Sequence, residues 1–408
     1  MPYGGEVNNN DIFTAKIYIA SRLTPPEDIE KIAAINLAVY DKSQVLLLAD
    51  NSDPSASIST EYSKFIFLNR WLLDEFGFVK REQSEDDKRR EITGASDIDN
   101  LVFENGGTYE ISYTPSSSTS VSSQETVVKN ILEKIKLPRD SENNIVLPAE
   151  LKIDFSATSI ESFPTYTYES DMTHLKYVTS LKLPNTIVQE KNTSSKNYGI
   201  HSGYFENATK LEEVIMEEGN QYYKTIDGVL YSYGNGTDSI VALKFYPPAK
   251  KDSSFTLPDF VTQLYTPAFR NNNYLEEING LSRVNKITGM DIFRGMEKIK
   301  VIDFRGASFT SLGSGYTFVN NNSVEKIYMP AGLTDLKSTA FENGTNGTGM
   351  KGCPNLVEIH FYGPLPTTIY NSSFTNYNEN LKIYVPEAYI DDYKNKLTNA
   401  ADKIFAEP

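Results

Sequence analysis

The sequence predicts an α+β fold in which an N-terminal α/β domain precedes a β-rich solenoid of short repeats. Helix and strand patterns run to about residue 113 and then give way to a Ser-rich stretch. Beyond it, phenylalanines recur at intervals of 24, 25 and 23 residues: Phe269, Phe293, Phe318 and Phe341. Two aliphatic columns keep the same register: Leu275, Ile299, Val324 and Ile278, Ile302, Ile327. Such columns indicate units that bury their apolar sides by stacking on their neighbours.

Length and charge narrow the classes of function. At 408 residues the chain is longer than a domain with a single hydrophobic core usually is, which favours several domains or an elongated array. With 54 acidic and 39 basic residues, the formal net charge is -15, which repels phosphate backbones and argues against nucleic acid as a partner.

Cys353 is the single cysteine, so no intramolecular disulfide is possible. Residues 1–12 lack the pattern of a secretory signal, and no window approaches the roughly 18 apolar residues of a membrane helix, so no membrane insertion is expected.

The N-terminal part reads as a compact α/β domain over residues 1–113. Thr24–Glu27 has the spacing of a capping box with proline at the first helical position, which predicts a helix over about 25–36. Apolar runs at 37–40 and 44–49 flank a polar turn and predict two short strands. A second helix is expected over about 60–76, because its apolar residues recur three and four positions apart: Phe65, Leu68, Leu72 and Phe76.

Residues 114–140 are predicted to be a linker followed by a capping helix. The stretch 114–123 contains Pro115 and six serines and cannot bury a core. Ser122–Glu125 has the capping-box spacing and is expected to begin a helix that covers the start of the array. The apolar face of that helix comprises Val127, Val128, Ile131, Leu132 and Ile135.

The solenoid is expected over residues 141–408. Its period in the low twenties is that of leucine-rich repeats, in which each unit contributes a short strand and a compact return. Five apolar-Pro dipeptides are placed where a strand leaves the sheet, a position that tolerates the missing N–H of proline: Leu147-Pro148, Leu183-Pro184, Leu257-Pro258, Met329-Pro330 and Val385-Pro386.

Two interruptions of the repeat are predicted. Residues 220–248 carry Asp227-Gly228 between apolar stretches and read as inserted hairpins, with 229–231 and 241–243 as candidate strands. Residues 343–349 are rich in Asn, Gly and Thr and read as a polar surface loop.

Several segments resemble the BspA-like leucine-rich repeats. They are YKTIDGVLY at 223–231, LKFYPPA at 243–249, FTLPDFV at 255–261, the Ala-Phe pairs at 268–269 and 340–341, and the closing IYVPEA at 383–388 with Tyr389 and Tyr393. The resemblance covers about residues 145–408 and leaves the N-terminal domain unassigned. One position departs from the family, which often has Cys there: this chain has Ala208, Asn272, Met296, Asn321 and only once Cys353. These residues are expected to fill or cap the same turn.

The resemblance implies a surface-displayed, non-enzymatic protein that binds host or cell-surface proteins or glycans. It implies no catalytic residue and no cofactor. We therefore expect an extracellular or cell-surface location, with homo-oligomerisation or docking to a larger assembly through the N-terminal domain as a further possibility. An alternative is a bacteriophage head or tail fibre protein on the virion surface that uses the same solenoid for attachment. In either case, a fragment from about Asn143 onward is expected to fold and bind by itself.

Residues that could carry chemistry favour structural roles. His174, His201 and His360 lie in no metal-binding motif and are expected to be exposed. Gly313-Ser314-Gly315 lacks the spacing of a nucleophile elbow and is interpreted as a turn. Residues 140–144 have oxygen ligands at alternate positions but lack the Gly and distal Glu of a calcium loop, so a turn is predicted there too. The sequence therefore nominates no catalytic, cofactor-binding or metal-binding residue, and it does not say which face binds.

Overall fold

The computed structural model describes the backbone of residues 36–39 and 45–48, together with residues 88–163, 174–192, 197–234, 237–313, 315–342 and 348–408. The chain divides into two compact units, Met1–Glu82 and Gln83–Pro408. In the first unit, β1 (Asn36–Val39) and β2 (Val45–Leu48) pair antiparallel, which confirms the two predicted strands. The helices predicted over 25–36 and 60–76 lie outside the described residues.

The second unit begins with a five-stranded parallel sheet of order β10-β7-β5-β4-β3. Its strands are β3 (Arg89–Ile92), β4 (Thr108–Tyr113), β5 (Glu150–Asp154), β7 (Ser180–Leu183) and β10 (Glu213–Met216). The sequence placed residues 89–113 in the N-terminal domain, whereas here β3 and β4 extend the sheet of the first repeats. A small second sheet comprises β6 (Ser162–Phe163), β8 (Lys191–Asn192) and β9 (Asn197–Ile200).

Parallel neighbours need a crossover, and two helices supply it. The helix α1 (Ala95–Asp99) connects β3 to β4, and α2 (Val121–Ile135) connects β4 to β5. The predicted start of α2 at Ser122 is wrong: Ser120 is the N-cap, and its hydroxyl accepts from the Ser123 N–H at 3.2 Å. The helix buries Val128, Ile131, Leu132 and Ile135 as predicted, with Val127 partly buried against the same core. It is therefore part of the first core.

The predicted hairpin insertion is confirmed. It consists of β11 (Tyr223–Ile226), β12 (Val229–Tyr233) and β13 (Ile240–Phe245), paired antiparallel in that order. Asp227 and Gly228 form the first turn with φ of 50° and 73°, the left-handed values that a two-residue hairpin turn of this kind requires.

This hairpin separates two hydrophobic cores. Leu230 and Phe245 belong to the core under the first sheet, which also contains α2. Val229, Tyr231 and Leu243 belong to the core that runs through the rest of the array. Because neighbouring residues of a strand point to opposite faces, β12 contributes to both cores. In β13 the register against β12 shifts between Leu243 and Phe245, and these two residues serve different cores.

The array then continues as parallel strands on successive coils. On one side, β13 pairs with β15 (Gln263–Tyr265) and β15 with β17 (Lys286–Thr288), and bridges link Ser311, Asp335 and Thr368. On another side, β14 (Ser254–Thr256) pairs with β16 (Glu277–Asn279). The C-terminal sheet comprises β18 (Val301–Asp303), β19 (Lys326–Tyr328), β20 (Glu358–His360), β21 (Lys382–Val385) and β22 (Ile404–Ala406). A short helix, α3 (Ile390–Lys396), lies between β21 and β22.

The phenylalanine column lies inside the array. Consecutive rings of Phe269, Phe293, Phe318 and Phe341 are stacked, with centroids 5.4, 6.0 and 5.6 Å apart and planes within 19° of parallel. All four are fully buried, as are Leu275, Ile299 and Val324, while Ile278 is only partly buried. The repeat register inferred from the sequence is confirmed.

Two further expectations about the repeats can be checked. Pro184 and Pro386 directly follow the last residue of a strand, and Pro258 and Pro330 lie one residue further on. Pro148 instead precedes β5, so its predicted place at the end of a strand was wrong. At the position where the family often has Cys, all five residues of this chain are buried: Ala208, Asn272, Met296, Asn321 and Cys353. The Asn272 amide caps its turn, because Nδ2 donates to the carbonyls of Pro247 and Pro248 while Oδ1 accepts from Tyr274 and Leu275.

Candidate binding surface

The C-terminal sheet presents a row of aromatic side chains on the face opposite the core. Each of its strands buries an isoleucine, such as Ile327 and Ile359, so the next residue points outward. The strand register aligns these outward residues across neighbouring strands: Asp303, Tyr328, His360, Tyr384 and Phe405.

These side chains lie against one another in a continuous row. The ring centroids of Tyr328 and His360 are 4.5 Å apart, those of His360 and Tyr384 are 4.6 Å apart, and those of Tyr384 and Phe405 are 6.2 Å apart. At the other end the Arg305 guanidinium lies 4.5 Å from the centre of the Tyr328 ring, a cation–π distance. We call Arg305, Tyr328, His360, Tyr384 and Phe405 the aromatic ladder.

Charged groups flank the ladder and pair with one another, one pair across neighbouring strands and one at the end of β18. Lys326 lies 2.9 Å from Glu358, and Arg305 lies 2.6 Å from Asp303. The hydrogen bond from Lys326 lowers the pKa of the Glu358 carboxyl, so this group stays ionised at neutral pH. Beside the ladder, burial and a hydrogen bond with Glu407 raise the pKa of Tyr362 to about 12. The surface therefore combines aromatic rings, fixed charges of both signs and a neutral phenol.

The ladder residues were not nominated from the sequence. A signal was present for its ring-bearing residues, because each directly follows an isoleucine, as Tyr328 follows Ile327. Two expectations about histidine were wrong: His174 and His360 are only 5% and 6% exposed. His174 lies 3.0 Å from Glu133, and His360 lies 2.9 Å from Glu407. Each imidazole can therefore be buried, because a carboxylate satisfies its hydrogen bonding.

The other chemically suggestive segments have structural roles. Gly313 lies in a turn of the array with φ of 81°, as predicted, whereas Gly315, with φ of 119°, forms a bridge with Met290. Asp140 accepts from the backbone N–H groups of Glu142 and Asn144 and closes the predicted turn. Within the described residues, no group of three His, Cys, Asp or Glu side chains could hold a metal ion. In the same part of the chain, no helix has the length and apolarity needed to cross a membrane.

A stack of coils joined by short parallel strands around an internal column of phenylalanines defines a leucine-rich-repeat protein, the general kind of scaffold that binds proteins. Residues 239–360 match the family model for the BspA type leucine rich repeat region, in six copies. This stretch of the chain therefore belongs to the BspA-type repeats. No curated protein matches the chain.

Solved structures similar to this chain are leucine-rich-repeat proteins with distant sequences. The pneumococcal vaccine antigen PcpA is 18% identical with a TM-score of 0.40, over 74% of this chain and 68% of its own. A leucine-rich repeat protein from Eubacterium ventriosum is 16% identical with a TM-score of 0.41, over 69% of this chain and 67% of its own. A leucine rich cell surface protein from Faecalibacterium prausnitzii is 18% identical with a TM-score of 0.32, over 54% of this chain and 55% of its own.

Proposed function

We propose that this chain is a non-enzymatic recognition protein, displayed at a cell surface, that binds a partner protein through the aromatic ladder. The observation that carries the proposal is the in-register alignment of Tyr328, His360, Tyr384 and Phe405 on the outer face of the C-terminal sheet. Surface display rests on the BspA-type repeats. No observation favours the virion alternative, and we do not propose it.

The ladder has the composition and rigidity of a protein-binding hot spot. Tyr and Arg are enriched among residues that contribute most to binding. Tyr in particular buries much surface while losing little side-chain freedom. Here the rings are already held by stacking and by the Glu407–His360 contact of 2.9 Å, so less ordering is left for the binding step. With strands about 4.8 Å apart, five strands present a strip roughly 19 Å wide, which suits a protein surface better than a small molecule.

Binding can be tested with the purified full chain, two ladder variants and one control variant. Tyr384→Ser and Arg305→Ser each remove one element of the ladder, whereas Tyr370→Ser makes the same chemical change at a tyrosine that is 46% exposed outside the C-terminal sheet. Immobilised extracellular-matrix proteins and cultured epithelial cells serve as probes. We expect the ladder variants to weaken binding at least tenfold and Tyr370→Ser to leave it unchanged. Equal binding by all four proteins would reject the ladder as the binding face.

Surface display is tested separately, in the cells that produce the protein. Brief protease treatment of intact cells, followed by mass spectrometry of the released peptides, should recover peptides from the array. Their recovery only after lysis would contradict display at the surface.

A further inference from the structure

A cavity of about 410 Å³ opens beside the hairpin insertion. Its lining residues precede those of the aromatic ladder along the chain. This volume is in the usual range for small-molecule sites. Tyrosines and polar side chains line it: Tyr222, Tyr223, Tyr233, Tyr265, Gln189, Glu190, Ser232, Thr237 and Asp238. We call it the tyrosine cavity.

The walls of the tyrosine cavity are fixed by hydrogen bonds. The Asn220 side-chain Oδ1 accepts from the backbone N–H groups of Tyr222 and Tyr223 at 2.8 Å, and its Nδ2 donates to the Ile187 carbonyl in the preceding coil. The Tyr223 hydroxyl accepts from the Ile200 N–H at 3.0 Å. The rings of Tyr222 and Tyr233 meet edge to face, with centroids 5.3 Å apart and planes at 87°. A ligand would therefore enter a largely preformed site.

The charge of the lining limits which ligands fit. Glu190 and Asp238 are the two acids of the lining, and Glu190 pairs with the buried Lys244. A phosphorylated, sulfated or sialylated ligand would meet carboxylate at the mouth, which disfavours it. A second cavity, of about 370 Å³ beside the first sheet, differs in kind. Its lysines are paired with carboxylates, as Lys250 is with Asp227 at 2.9 Å, so its polar groups already satisfy one another.

We propose that the tyrosine cavity binds an uncharged saccharide of one or two sugar rings. Sugars combine apolar C–H faces, which pack on aromatic rings, with hydroxyls that donate to carboxylate and amide oxygens. The cavity offers both: aromatic surface from Tyr222 and Tyr233, and acceptors from Asp238 and Gln189. This site is independent of the proposed protein-binding ladder, so either proposal can fail without the other.

The test uses the full chain and an array of neutral mono- and disaccharides of glucose, galactose, mannose and N-acetylglucosamine, with sialylated and sulfated counterparts. Hits are titrated by calorimetry. We expect binding of at least one neutral sugar and no gain from the acidic forms. Asp238→Asn should weaken that binding about tenfold, as expected for loss of a charged hydrogen-bond acceptor. Tyr222→Leu keeps apolar volume but removes the ring and should weaken it several-fold.

Matched controls keep the test decisive. Tyr274→Leu and Asp259→Asn make the same chemical changes at residues that do not line the cavity and should leave sugar binding unchanged. Circular dichroism melts verify that each variant is folded; if Tyr222→Leu is not, Asp238→Asn, at an exposed loop position, decides alone. Absence of any neutral sugar binding, preference for the acidic sugars, or unchanged affinity in folded Asp238→Asn would each overturn the proposal.

Discussion

The Phe293 ring lies nearly parallel to the Phe318 ring, with centroids 6.0 Å apart and planes at 19°. Each ring comes from a separate coil, and the Phe293 N–H also donates to the Thr317 carbonyl of the next coil at 2.9 Å. The column thus couples side-chain packing to backbone pairing between coils.

Phe293→Ala should lower the free energy of unfolding by about 3–5 kcal/mol, because it removes a fully buried ring and leaves a cavity between two stacked neighbours. Urea unfolding followed by circular dichroism measures the change. Phe405→Ala, at a ring that is 42% exposed, is the control and should cost much less. An equal decrease in the free energy of unfolding for the two variants would contradict a stabilising role of the phenylalanine column.

Gly228→Ala should destabilise the hairpin insertion. At φ of 73° an L residue costs about 1–2 kcal/mol, and the added Cβ would lie 2.7 Å from the Glu213 Cβ. Gly332→Ala is the control, because no atom lies within 4 Å of its added Cβ. A thermal melt of each variant should show a clear decrease in Tm for the first and almost none for the second.

Truncation should distinguish two definitions of the array. A fragment from Gln83 to Pro408 retains α2 and the complete first sheet and should fold cooperatively. The fragment from about Asn143, expected from the sequence to fold by itself, lacks Val128, Ile131 and Ile135, which are fully buried against that sheet. It should bind the dye ANS strongly and melt at a lower temperature. Identical melts of the two fragments would show that α2 is dispensable.

Cys353 should be unreactive in the folded protein. Burial raises the pKa of its thiol, and its Sγ lies 3.0 Å from the Phe318 carbonyl oxygen. Since the thiolate is the reactive form, labelling by iodoacetamide at pH 8 should be negligible until urea unfolds the array. Mass spectrometry counts the label, and fast labelling without urea would contradict the burial.

Glu358→Gln should reduce stability at neutral pH but not in strong acid. The pKa of Glu358 is lowered in the folded chain by the hydrogen bond from Lys326. Its ionised form therefore contributes stability above the unfolded-state pKa, and this contribution is lost as pH falls through the lowered folded-state pKa. Urea midpoints of wild type and variant should differ at pH 7 and converge near pH 2. The exposed Glu387→Gln is the control and should match wild type at both pH values.

Local patterns predicted much of this fold, whereas long-range pairing did not follow from them. The Asp227-Gly228 turn can be predicted from its two residue types, and the phenylalanine column from its regular spacing. The pairing of Arg89–Ile92 with Thr108–Tyr113 leaves none, because parallel strands are joined by a crossover whose sequence does not specify the partner. The stacking of Tyr328 on His360 was also missed, because the step between them contains the 343–349 insertion, which breaks the period.

The two-sided hairpin has a consequence for how such an array can change its length. Because Leu230 and Tyr231 serve different cores, a one-residue slip of β12 would turn every side chain of the strand towards the wrong interior. Coils after Leu257 repeat one environment, so a whole unit could be duplicated or deleted there with its contacts conserved. Variation in repeat number among relatives should therefore be concentrated on the C-terminal side of the hairpin, while the segment from Tyr223 to Tyr246 keeps a constant length.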